Sequence, residues 1–221
     1  MNPAADPAHR MRFSYRIIRY AAQILFTLYF RGRVFGLRNV PPTGGVMLAC
    51  NHQSYCDPVS VTLAIHREGN YMARDTLFMN PRFKRLIEFL NAFPVKRGAA
   101  DVGAVKEILR RLKNGKVVVV FPEATRTRDG EIGPINANSL LIAKKARAAI
   151  VPTVIDGAFE SWPREAKFPR PARMYITYCR AITAGQVATW PIEEIAAAVT
   201  QRLTTTLARS RALRWRAENK K

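Results

Sequence analysis

Cysteine is scarce in this chain of 221 residues: Cys50, Cys56 and Cys179 are the full set, and no two stand in a C-x-x-C spacing. An odd, unpaired set excludes a disulfide framework and suits a reducing, cytosolic compartment. Histidine is equally sparse. His9, His52 and His66 are not spaced as metal ligands, so no metal site is expected. Long apolar runs are missing too. In the most apolar segment, 13–35, the uncharged stretch 20–30 is eleven residues, whereas a membrane span needs about 20. The first twelve residues lack the apolar core and cleavage site of a secretory signal.

Acidic residues are the remaining shortage. Sixteen Asp and Glu face 36 Lys and Arg, a net charge of +20 that points to a polyanionic partner. The surplus gathers at the ends. Residues 1–40 carry seven Arg against one Asp, and 201–221 carry seven Lys and Arg against one Glu. With hydrophobic residues at 48% and charged residues at 24%, the chain is expected to fold around a core rather than stay disordered.

What is present alternates between strand and helix patterns. Val46–Cys50 (VMLAC), Lys116–Phe121 (KVVVVF), Ile150–Ile155 and Arg173–Cys179 read as strands. Leu77–Leu90, Asp101–Asn114 and Leu140–Arg147 read as helices, the first packing mostly into the core. This predicts a single α/β domain with a central, mostly parallel or mixed sheet flanked by helices. Three segments follow: a basic amphipathic membrane-interface segment at 1–35, the α/β domain at 36–190, and a basic C-terminal helix at 191–221. Arg16, Arg19, Arg31 and Arg33 bracket the first helix and are expected to snorkel to lipid headgroups. Arg209, Arg211, Arg214, Arg216, Lys220 and Lys221, with Trp215, form a basic tail that could dock on an anionic surface.

Polar clusters fall where loops leave these elements. In NHQSYCDP, His52 and Asp57 could be a general base and its orienting carboxylate, or a polar turn. Ser54 lacks a nucleophile elbow, so an attacking hydroxyl would have to come from the substrate. In FPEATRT, Glu123, Thr125 and Arg126 offer a carboxylate, a hydroxyl and a guanidinium that could hold a phosphorylated polyol. Arg97, in PVKRG, supplies a second guanidinium fork for phosphate.

NHQSYCDP resembles the NHxxxxD motif of the glycerolipid acyltransferases, which include the 1-acylglycerol-3-phosphate acyltransferases. FPVKR, FPEATRT and IVPTVIDG resemble the second, third and fourth motifs of that family, in the same order. The resemblance implies an acyltransferase with His52 as general base, oriented and charge-stabilised by Asp57. Arg97, Glu123, Thr125 and Arg126 would position a lysophospholipid acceptor, with Asn51, Pro122 and Ala124 in support. The co-substrate would be an acyl-CoA or acyl carrier protein thioester, with no bound cofactor. The implied location is the cytoplasmic face of the inner (plasma) membrane, peripheral or monotopic, against an anionic membrane surface. Four positions depart from the family pattern: Ala124 and Asn91 stand where it has glycine, and Asn136 and Asn138 where it often has lysine and glycine. Those changes keep the acyl-transfer apparatus but leave another lysolipid or amino-lipid acceptor open. The rivals are a thioesterase on the same fold and a basic nucleic-acid-binding module. The chain carries no zinc finger, RNP-type or helix-turn-helix signal, so no nucleic acid partner is expected.

Overall fold

The computed structural model describes residues 11–96 and 101–219. Three segments with continuous apolar character form the middle of the sheet: β2 (Val46–Cys50), β5 (Val117–Val120) and β6 (Ala149–Asp156), every residue of which is buried. A strand apolar on both faces must be covered on both, and alternate side chains divide between two cores. Met47, Ala49, Val118, Val120, Ile150 and Val154 enter one core; Val46, Leu48, Val117, Val119, Val151 and Ile155 enter the other.

Four more strands complete the sheet: β1 (Arg33–Phe35), β3 (Gly69–Arg74), β4 (Ala92–Val95) and β7 (Tyr175–Tyr178). The order is β1-β7-β6-β2-β5-β3-β4, and β2 to β6 are mutually parallel while β7 runs antiparallel to β6. The sheet is therefore mixed. Because β2, β4, β5 and β6 point the same way, the segments that follow them leave at one edge. All four motif-like segments run along or out of these strands, which is how distant stretches of sequence come to share that edge.

Helices α4 (Val102–Lys113) and α5 (Ala137–Ala146) cover the first core, together with α8 (Ile192–Glu218), which the short helices α6 (Ala158–Ser161) and α7 (Ala184–Thr189) precede. Ile195, Val199, Leu203 and Leu207 form the buried stripe of α8, each one helical turn from the last. The far end of α8 departs from a free basic tail. Arg214 pairs with buried Asp156 at 3.2 Å and with Glu160, and Arg211 bonds Glu131 at 2.5 Å and the Gly130 carbonyl at 2.7 Å. Arg209, Arg216 and Trp215 stay exposed, and Lys220 and Lys221 lie outside the described residues.

Helix α1 (Phe13–Leu28) lies beside the other core. Tyr15, Arg19 and Phe26 make its buried face, so Arg19 does not snorkel. Its guanidinium donates to the Leu63 and Ile65 carbonyls, at 3.3 and 2.8 Å, because those buried carbonyls need donors and α1 covers them. Arg12, just before the helix, donates to Glu68, to the Phe89 carbonyl and to Asn91 Oδ1. The opposite face leaves Phe13, Ile17, Ile24 and Leu28 between 55 and 74% exposed. Among the described residues, no helix is long and apolar enough to cross a membrane.

The Leu77–Leu90 helix proves to be two pieces, a 3-10 turn (Asp75–Phe78) and α3 (Pro81–Phe89). Asn80 caps α3 through the Arg82 and Phe83 amides, and Pro81 occupies its first position, where a missing N–H costs nothing. None of its residues is buried, so the expected core packing fails: Phe83 and Leu86 are exposed, with Met79 beside them.

Candidate active site

At the end of β2, Asn51 keeps the sheet going with its side chain. Its amide donates to the Ile155 carbonyl at 2.9 Å and accepts from the Ile155 N–H at 2.8 Å. That pair frees the following backbone to turn outward. His52 is then gripped by its own main chain: its N–H donates to Glu123 Oε1 at 2.9 Å, and its carbonyl accepts from the Thr127 N–H at 2.8 Å. The imidazole stacks on Phe121, centroids 4.0 Å apart at 19°.

Asp57, wholly buried at the start of the one-turn helix α2 (Asp57–Ser60), curls back to this ring. Its Oδ2 meets His52 Nδ1 at 2.8 Å and accepts the Gln53 and Ser54 N–H groups at 2.6 Å each. A carboxylate accepts only, so Nδ1 carries the proton and Nε2 is left as the basic nitrogen. No other described group bonds the imidazole, and its side chain keeps 13% of its surface exposed. Asp57 Oδ1 has no partner among the described residues. Ser54 is buried, with its hydroxyl on Cys56 Sγ, and is out of reach as a nucleophile.

The segment after β5 forms the other wall. Glu123, read from the sequence as an acceptor contact, has both oxygens on backbone: Oε1 on His52 and Oε2 on the Gly133 N–H at 2.7 Å. It staples the two loops together. Burial pushes its pKa up, against the two N–H bonds that lower it. Pro122 is buried, and its carbonyl takes the Asn136 N–H. Ala124 sits at φ 59, in the left-handed region where a methyl group is strained. Thr125 is exposed, and Arg126 lies with Cζ 3.5 Å from the Tyr55 ring centroid, Tyr55 itself resting against Trp162.

Thr125 and Arg126 line a cavity of about 310 Å³, within the usual range for ligand sites. Glu123 is the wall it shares with the His52 loop, and Arg128 and Arg164 complete the rim. The structure thus gathers His52, Asp57, Glu123, Thr125 and Arg126 at one edge. Arg97 lies outside the described residues.

Two departures from the motif pattern find local reasons. Asn91 adopts φ 64 just before β4, a conformation that asparagine tolerates better than other non-glycine residues. Its amide also donates to Glu68 at 2.9 Å. Asn136 caps α5 through the Asn138 N–H at 3.0 Å, a helix-starting role that a lysine could not fill. Sequence reasoning missed Gln53, Arg128 and Arg164. Gln53 donates to the Gly130 carbonyl at 3.0 Å and accepts from the Phe159 N–H at 3.3 Å, fixing the loop next to His52. Arg128 was legible as the next arginine of TRTR; Arg164 carries no local signal. Among the described residues, no group of three His, Cys, Asp or Glu side chains could hold a metal.

Comparison with known proteins bears on this arrangement. The family model "Acyltransferase" matches residues 31–156. The 1-acyl-sn-glycerol-3-phosphate acyltransferase of Bacillus subtilis is 28% identical over 144 residues, 65% of this chain and 71% of that protein. A chloroplast 1-acyl-sn-glycerol-3-phosphate acyltransferase of Arabidopsis thaliana is 27% identical over 161 residues, 72% of this chain. The chain spans less than half of that relative's length, 45%. Among solved structures, the 1-acyl-sn-glycerophosphate acyltransferase of Thermotoga maritima superimposes with a TM-score of 0.78 at 25% identity, covering 89% of this chain and 79% of that one.

Proposed function

The chain belongs to the acyltransferase family, and from that premise we propose that it moves a fatty acyl group from a thioester to the free hydroxyl of 1-acylglycerol 3-phosphate, giving phosphatidic acid. The observation that carries the reading is the contact between His52 Nδ1 and Asp57 Oδ2 at 2.8 Å. It leaves Nε2 as a base with no other bond to lose first. Nε2 takes the hydroxyl proton while the oxygen attacks the thioester carbonyl carbon. The tetrahedral intermediate collapses with cleavage of the C–S bond, and the proton on Nε2 passes to the departing thiolate. One ester and one thiol result. Asp57 stabilises the imidazolium between the two transfers.

Holding the acceptor in place supplies much of the acceleration in such a reaction, because it replaces a bimolecular encounter. Thr125 and Arg126, with Arg97, are the residues for that task, and Glu123 keeps the base in register with them. The donor is an acyl-CoA or acyl carrier protein. The outward apolar stripe of α1, with Arg16 and Arg31 exposed on the same helix and just beyond it, supports docking on an anionic bilayer. We place the enzyme at the cytoplasmic face of the inner membrane, peripheral or monotopic.

The test is release of free thiol from palmitoyl-CoA, with and without lysophosphatidic acid, by wild type and His52→Ala. Release that needs the acceptor and falls at least about 100-fold in the variant supports the reading. Release independent of acceptor would mean hydrolysis, and turnover unchanged in His52→Ala would remove the base from His52.

A further inference from the structure

Three guanidinium groups converge on the cavity beside Glu123: Arg126 and Arg128 from the segment after β5, and Arg164 from the segment after β6. Arg164 lies beyond residue 156, where the family match ends. None of the three pairs with a carboxylate among the described residues. Carboxylates are present in the cavity, and each has at least one oxygen held by the protein rather than by these guanidinium groups. Glu123 holds two backbone N–H groups, Asp129 Oδ1 takes the Thr127 hydroxyl at 2.7 Å and the Glu131 N–H at 2.9 Å, and Glu131 pairs with Arg211. Arg126 Nη1 is buried with no hydrogen-bond partner while its plane is held on Tyr55. The segment bearing Arg164 is closed on itself, which fixes where that side chain starts: Ser161 Oγ donates to the Arg170 carbonyl at 2.8 Å, and Trp162 Nε1 to the Ala166 carbonyl at 3.0 Å.

We infer that Arg164 joins Arg126 and Arg128 to form a pocket for a phosphomonoester dianion, and that Arg164 sets the preference for such an acceptor over a phosphodiester lysolipid. The inference rests on the acyl-transfer reading of this site. A phosphomonoester offers three terminal oxygens and close to two negative charges at neutral pH, which three guanidinium forks can meet. A phosphodiester offers two free oxygens and one charge, so it leaves a fork idle. The location suits the chemistry. Glu123 bonds the His52 backbone on one side and borders the cavity on the other. In 1-acylglycerol 3-phosphate, the free hydroxyl sits on the carbon next to the one that carries the phosphate. A phosphate in this cavity therefore lies one wall from the base that the hydroxyl must reach.

The experiment compares Arg164→Ala and Arg164→Lys with wild type, measuring kcat and KM for lysophosphatidic acid and for lysophosphatidylglycerol with one acyl donor. Loss of a charge-assisted bond to phosphate should raise KM for lysophosphatidic acid about 10-fold or more, with kcat within about 3-fold. KM for the diester should stay within about 2-fold, and lysine should recover part of the loss as a point charge without a fork. An unchanged KM for the monoester, or a parallel loss on both acceptors, overturns the inference. If wild type acylates neither lysolipid, the acyl-transfer reading fails first, and calorimetric binding of glycerol 3-phosphate then decides about the pocket. Binding weakened about 10-fold in Arg164→Ala upholds it, and no binding to wild type, or equal binding to both, rejects it.

Discussion

Asp57→Asn separates the charge of the carboxylate from its geometry. In the wild type one oxygen, Oδ2, takes three donors, and Oδ1 faces no partner. An asparagine can place its carbonyl oxygen at the Oδ2 position and its amide where Oδ1 stood. All three donors keep an acceptor, Nδ1 keeps its proton, and the fold keeps its turn. What disappears, in the proposed mechanism, is a negative charge beside the imidazolium that would form as His52 takes the hydroxyl proton. At a charge separation of about 4 Å and an effective dielectric constant of about 20, that charge is worth roughly 4 kcal/mol. The more conservative comparison, a charge-assisted against a neutral hydrogen bond, gives about 1.5 kcal/mol. kcat should therefore fall between about 10-fold and 1,000-fold, with KM for the acceptor little changed. Thermal unfolding should stay within a few degrees of wild type, because losing a buried charge offsets any weakened hydrogen bond. Thiol release at saturating acceptor and a melting curve read both quantities. A kcat within about 2-fold of wild type would refute the reasoning and reduce Asp57 to a turn-holding residue.

Ala124→Gly should stabilise the protein. Relief of left-handed strain, roughly 1–2 kcal/mol, is partly offset by a freer unfolded chain, about 0.4–1 kcal/mol, leaving a melting temperature higher by a few degrees in scanning calorimetry. Ile17→Asp with Ile24→Asp should weaken binding to anionic vesicles at least about 10-fold in a sedimentation assay, because each removes an apolar anchor. These residues are 55 and 60% exposed, so the melting temperature should hold. Glu107, held by the Arg110 guanidinium and then by Arg111, has its pKa lowered from 4.5 to about 2. A lowered acid contributes stability above its unfolded value and loses it as pH falls through the folded one. The stability gap between wild type and Glu107→Gln should be below about 1 kcal/mol at neutral pH, given the exposure of the group, and should close as pH drops from about 4.5 towards 2 in urea titrations.

The centre of the fold was legible because β2, β5 and β6 are buried on both faces and read as apolar runs, broken only by Thr153 and Asp156 in β6. β1, β3 and β4 were not. They lie towards the two ends of the sheet and run three to six residues; β1 and β3 mix polar with apolar positions, and β4 carries Pro94, which edge strands tolerate. Arg19 was misjudged because flanking arginines on an apolar helix read as interfacial, while its spacing from Tyr15 and Phe26 puts it on their buried face. At the site, His52 and Asp57 were legible since their contact is local, five residues apart. The contacts of Gln53 and Arg211, and the placing of Arg164 on the cavity, depend on segments brought near by the sheet, such as the Gly130 carbonyl that Gln53 and Arg211 share from 77 and 81 residues away. Glu123 was assigned by residue type as a ligand contact, but its partners are backbone N–H groups that no side-chain pattern advertises.

The bonds from Arg12 to Glu68, Phe89 and Asn91 tie the start of α1 to the heads of β3 and β4. Arg19 and Gln23 tie the middle of the helix to the Leu63 and Ile65 carbonyls. A helix pinned at successive turns is a keel rather than a tether. On the proposed docking, with its outward stripe bedded in a lipid surface, the domain would have no swivel left, and the mouth near His52 would stand at one height and tilt above the headgroups. Lysolipids drifting in the leaflet would then meet the enzyme in a two-dimensional search, already upright, and collisions from bulk water would contribute little to turnover.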